Sequence, residues 1–172
     1  MERRNALRTI AVGIGGLVSL PTWANNWTVA TVRIYPSVLT DFEADILTEI
    51  VETIIPATDT LGAKDVKVQD FIQKMIADCY EATVQINFKN GLNTLDMWAK
   101  ESYEKPFVSC DKAQRENLLN KMASSMDANE KAFFTLVKNL TVQGYTTSEY
   151  VMTTFLNYDM APGHYYGCVP VK

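Results

Sequence analysis

The side chains best equipped for chemistry in this chain are few. There are three cysteines (Cys79, Cys110 and Cys168) and a single histidine, His164. A run of carboxylates, Asp41, Glu43, Asp45, Glu49 and Glu52, recurs along one stretch of chain. Thiols offer a disulfide or a reactive nucleophile, imidazole offers a metal ligand or a proton carrier, and clustered carboxylates offer a cation site. An odd cysteine count leaves at least one thiol free or paired with another chain. Cys79 lies one helical turn beyond Met75 and Ile76 on an apolar stripe, which predicts a buried core thiol. Cys168 sits in an aromatic, turn-rich segment and is the more accessible candidate for a bridge, either within the chain (for example to Cys110) or to a partner. The carboxylates fall on the polar side of a helical pattern with no histidine among them, so they read as a solvated face.

Other constellations are missing from the sequence. There is no Gly-x-Gly-x-x-Gly behind a strand, no Cys-x-x-Cys-His, no Gly-x-Ser-x-Gly and no phosphate loop. One histidine cannot supply the paired Glu-x-x-His motifs of a di-iron bundle. No catalytic residue, cofactor site or metal site is therefore assigned to this chain, because an active site needs several convergent groups. The net charge of −4 comes with no basic run in the body, which argues against nucleic acid.

The elements that must position these side chains read as helices. At 172 residues and 47% hydrophobic content, the chain is long enough to bury one real core. Thr40 with Glu43 makes a capping box, with Leu39 as a staple in front. Phe42, Ile46, Leu47, Ile50, Val51, Ile54 and Ile55 then form an apolar stripe that Pro56 ends. Residues 57–67 form a polar loop around Gly62. A second helix over 68–80 carries Phe71, Ile72, Met75, Ile76, Cys79 and Tyr80 on one face. A third, over 83–103, turns Leu92, Leu95, Trp98 and Ala99 inward, with Gly91 weakening its middle. After a break at Pro106, Ser109 or Asp111 caps a fourth helix carrying Leu118, Leu119 and Met122. Asp127 caps a fifth that buries Phe133, Phe134, Leu136, Val137 and Leu140, with Gly144 placed for a left-handed C-terminal cap. Thr146 with Glu149 opens a short last helix through Val151, Met152 and Phe155. The expected class is all-α: a compact bundle of five or six helices, with an extended arm over 25–39 and an irregular aromatic tail over 157–172.

Two readings of the tail tyrosines stand. Tyr158, Tyr165 and Tyr166 either seal the bundle or, with Cys168, form a partner-facing patch, since tyrosine is enriched at interfaces.

The N-terminus has the three-part layout of an export signal over residues 1–24. A short basic stretch, residues 1–8, precedes an uncharged, Gly-rich run over 9–20 and then a Pro-Thr-Trp-Ala step. The run is too short for a membrane-spanning helix, which needs about 20 apolar residues. Arg3 and Arg4, followed by Leu7 and Arg8, resemble the twin-arginine signal. Ala6 and Glu2 depart from its usual large apolar and small hydroxyl residues. The pathway moves folded cargo, so a chain bearing this signal can carry a folded partner that lacks one.

Three stretches in order resemble the gluconate 2-dehydrogenase subunit 3 family. The first runs from Leu39-Thr40 to Pro56 and on through Thr58-Asp59-Thr60-Leu61-Gly62-Ala63 to Val68, Phe71 and Ile72. Leu61 stands where family members commonly have proline. The second is Phe133-Phe134 with Leu136 and Lys138, running to Leu140-Thr141. The third holds Gly144-Tyr145-Thr146-Thr147-Ser148-Glu149, then Leu156-Asn157-Tyr158 and the Pro162-Gly163-His164-Tyr165-Tyr166-Gly167-Cys168-Val169-Pro170 segment. Together they cover most of a helical domain over residues 40–172.

The resemblance implies a small, non-catalytic companion to a large FAD-dependent oxidoreductase of the glucose–methanol–choline type. FAD and the substrate site would then lie on that subunit, and a multi-haem cytochrome c would accept the electrons. It implies a periplasmic location, with membrane association only through the complex. The alternative reading is a stand-alone exported module whose arm and tail line a small-molecule pocket.

Overall fold

The structure is a computed structural model and describes residues 38–159 together with Ala161 and Gly163. Six α-helices and one 3-10 turn make up this region, with no strand among the described residues. They are α1 (Asp41–Ile54), α2 (Val68–Cys79), α3 (Ala82–Tyr103), the 3-10 turn (Phe107–Ser109), α4 (Lys112–Ala123), α5 (Ala128–Thr146) and α6 (Glu149–Thr154). The all-α class is as expected. Residues 1–37, which hold Arg3, Arg4, Leu7 and nearly all of the expected arm, lie outside the described residues.

Helix α1 starts where its capping box requires. Glu43 N–H donates to Thr40 Oγ1 at 3.3 Å, and Thr40 N–H donates back to Glu43 Oε2 at 2.9 Å. Leu39, just before the cap, is buried. Ile46, Leu47, Ile50 and Val51 are all buried. Adjacent pairs one turn apart make a stripe wide enough to pack on two sides, and α1 contacts α2, α3, α4 and α5. Each such side chain contributes about 1.5–3 kcal/mol relative to exposure. Phe42 departs from the expected stripe. It is 46% exposed and its ring lies under Lys100, with Nζ 5.9 Å from the ring centroid. At the first turn of α1 it lies beyond the reach of the core.

Helix α5 is the second hub and contacts every other α-helix. Its N-cap is Asp127, whose carboxylate accepts the Asn129 N–H at 2.7 Å. Phe133, Val137 and Leu140 are buried, while Phe134 and Leu136 are only partly covered. The glycine positions are contact points. The Phe133 ring lies so close to Gly91 that a Cβ there would sit 2.3 Å from it. This lets Phe133 meet Phe88 at 5.5 Å between ring centroids. Gly144 is not a left-handed cap. The helix continues to Thr146, and Gly144 faces the Phe71 ring, where a Cβ would come within 2.7 Å. Close approach of α2 and α5, and not backbone conformation, selects glycine there.

Between α3 and α4 a buried acid does the connecting. Asp96 accepts the Phe107 N–H at 3.0 Å and pairs with Lys100 at 2.6 Å, which seats the fully buried Phe107, the first residue of the 3-10 turn. Asp111 caps α4 in a box with Gln114. The C-terminus of α2 is closed by one side chain: Gln85 Nε2 donates to the carbonyls of Ile76, Ala77 and Tyr80. That exit turns Cys79 outward, so it is exposed and carries a free thiol, contrary to the buried position its spacing predicts. It sits in the last turn of α2, past the stripe of Val68, Ile72 and Ile76 that faces the core.

Candidate partner interface

Two neighbouring regions of the sequence motifs behave differently. The first is the loop over residues 55–67. Pro56 ends α1 as expected. The chain then folds back so that Ala63 N–H donates to Ile55 O at 2.9 Å. Gly62 lies against the Ala57 backbone, where a Cβ would come within 2.5 Å of the Ala57 nitrogen. Gly62 N–H donates to Asp65 Oδ2 at 3.0 Å, and Ala57 N–H to Glu52 Oε1 at 3.1 Å. Tyr145 of α5 reaches across to donate its hydroxyl to Leu61 O at 2.7 Å. That bond uses the carbonyl of Leu61, a group that proline also carries, so the loop closes the same way with leucine there.

The acidic face of α1 is only partly solvated, which corrects the sequence reading. Glu43 is 7% exposed and accepts from Asn93 Nδ2 of α3 at 3.4 Å. Glu49 takes Lys64 at 3.0 Å and also pairs with Arg115 of α4. Arg115 donates its other terminal nitrogen to Val108 O at 2.8 Å, so one guanidinium ties α1, α4 and the 3-10 turn. Neither residue's tie was legible beforehand, because the partners lie far away in sequence.

The second region is α6 and the residues after it. Ser148, not Thr146, caps this helix. Its hydroxyl accepts the Val151 N–H at 3.3 Å and donates to Tyr145 O at 2.7 Å. Thr146 remains in α5 and bonds back to Val142 O, so the second capping box does not form. None of the α6 side chains is buried. Phe155 is 53% exposed and meets Tyr150 edge-on at 5.7 Å. Leu156 is 62% exposed and Tyr158 52%. Tyr158, an expected interface residue, thus stands with two apolar neighbours on the surface. Tyr165, Tyr166 and Cys168 lie outside the described residues, as does His164.

Cys110 is buried and carries a free thiol, donating to Pro106 O at 3.6 Å. Burial pushes this thiol above its ordinary value, against the opposing pull of Arg115. Among the described residues no group of three or more His, Cys, Asp or Glu side chains is placed to hold a metal. Two clefts lined by described residues have volumes of about 180 Å³ each. One lies between Ile54, Leu119, Phe134 and Lys138, and the other between Asn87, Asn90, Asp127 and Asn129. Both are smaller than the ~300–1,000 Å³ usual for small-molecule sites. No described helix is long and apolar enough to cross a membrane.

Residues 41–163 match the family described as gluconate 2-dehydrogenase subunit 3. The chain belongs to the gluconate 2-dehydrogenase subunit 3 family. No curated protein and no solved structure matches it. The family match begins at the first residue of α1 and ends beyond α6, so it takes in both the braced loop and the exposed apolar segment. A subunit-3 chain implies a complex with other subunits, and among the described residues this segment is one of the places where apolar side chains stand exposed, here three within four positions.

Proposed function

We propose that this chain is the non-catalytic small subunit of a periplasmic FAD-dependent sugar or sugar-acid dehydrogenase complex. It supports assembly of the glucose–methanol–choline-type flavoprotein and carries it through the twin-arginine pathway by the signal at Arg3, Arg4 and Leu7. FAD belongs to the large subunit, and haem c to the cytochrome that accepts its electrons.

The family match over residues 41–163 is the observation that carries this reading. The arrangement of polar side chains supports it. Glu43, Glu49, Asp96 and Arg115 are each tied into a helix or turn contact, which holds the body rigid.

The test is co-expression with a flavoprotein of the glucose–methanol–choline type from the same source. Dehydrogenase activity is expected in the periplasm with both chains and in the cytoplasm when Arg3 and Arg4 are both changed to Lys. A flavoprotein that is exported and active in the absence of this chain defeats the proposal.

A further inference from the structure

Resting on that assignment, we infer that the segment from α6 to Tyr158 is the docking surface for the large subunit, and that it seats in an apolar recess of that partner ringed by lysine and arginine. Three observations lead there. Phe155, Leu156 and Tyr158 are each more than half exposed, and the helix that leads into them buries no side chain of its own. A helix of one or two turns is marginal in water without a packed face. Here it is held by the Ser148 cap and a shallow contact with α5. An element so lightly supported, yet carrying aromatic and aliphatic side chains outward, keeps its apolar area for another surface.

Charge then selects the partner's chemistry. Residues 139–171 contain no lysine or arginine, while Glu149 and Asp159 bracket the exposed apolar side chains. Eleven lysine and arginine residues lie between positions 64 and 138, and none between 34 and 63. Two acids and no cation on the segment itself are complementary to a basic partner edge and disfavour anionic lipid or nucleic acid. The matching surface is therefore a protein recess with apolar walls and a basic edge.

The experiment measures binding of the full-length chain to the purified flavoprotein at two salt concentrations. The double variant Phe155→Asp with Leu156→Asp is expected to weaken binding at least about 10-fold, as loss of a central apolar anchor does. Its melting temperature should stay unchanged, since both side chains are exposed. Asp159→Lys should weaken binding by a few-fold, roughly, and flatten its salt dependence. Ile86→Asp and Met97→Asp, on the exposed side of α3, should leave binding as it was. Wild-type binding that survives the double variant overturns this surface and leaves the proposed function standing. Absence of wild-type binding overturns both. Dimerisation of the isolated chain that the double variant abolishes assigns the surface to a second copy and overturns the inference.

Discussion

Around residues 55–67 the chain is held from several sides: backbone to backbone at Ala63 and Ile55, side chain to backbone at Gly62, Ala57 and Leu61, and ion pairs from Glu49 to Lys64 and Arg115. Over Glu149–Tyr158 the same kind of inventory is local: a serine cap, backbone bonds from Phe155, Leu156 and Tyr158 back to Val151 and Met152, an edge-on ring contact and no buried side chain. Tyr145 touches both, with its hydroxyl on the loop and its carbonyl taken by Ser148. The contrast separates two uses of sequence. One segment is made to hold shape within the subunit, and the other is lightly tethered and presents apolar surface outward.

That contrast can be broken most directly by truncation. Ile50→Ala, in the core behind the braced loop, is expected to cost about 2–5 kcal/mol in urea unfolding. Phe155→Ala should stay within about 0.5 kcal/mol of wild type. Equal losses at the two positions would mean that α6 is packed after all. Arg115→Met removes the guanidinium that joins α1, α4 and the 3-10 turn, for an expected loss of about 1.5–3 kcal/mol. If its stability matches wild type, the brace carries no weight.

Gly62→Ala forces a Cβ against the Ala57 backbone, with an expected cost of about 1–3 kcal/mol. An unshifted denaturation midpoint would show that the loop rearranges freely. Tyr145→Phe deletes the hydroxyl on Leu61 O and should cost about 0.5–1.5 kcal/mol, with faster amide exchange confined to the loop. Exchange that is equally fast throughout the body would contradict a local brace.

The smallest effect concerns the thiols. The fold holds Cys110 neutral by raising its pKa above 9.0. Its contribution to stability is complete below the unfolded value and is lost as pH climbs through the folded one. Wild type should therefore lose more stability above pH 9.0 than Cys110→Ala does. In the native chain at neutral pH, the exposed Cys79 should react with a thiol reagent well before Cys110. Prompt labelling of Cys110 would place it nearer the surface than the structure does.

Much of the helical body could be read in one dimension. Thr40 and Glu43 announce the first helix, Pro56 stops it, Asp111 and Asp127 start two more, and the apolar spacing picks out Ile46, Ile50, Leu92, Leu95, Leu118 and Val137 for burial. Caps and stripes are local, depending on residues three or four positions apart, and so they survive in the sequence.

The misreadings share another origin. Gly144 is glycine because Phe71 of another helix presses on it, Glu43 is covered because Asn93 reaches it from α3, and Cys79 is exposed because α2 ends before its stripe is complete. Phe42 has the spacing of a core residue and finds no core beneath it. Helix positions, the caps at Thr40, Asp111 and Asp127 and most of the inward faces followed from the sequence alone, because they depend on near neighbours along the chain. Which acids are tied, which glycines are contact points and which apolar side chains stay outside was decided only when the chain folded back and the helices packed, because those outcomes depend on partners beyond a helical repeat, such as Asn93 for Glu43, Arg115 for Glu49 and Phe71 for Gly144.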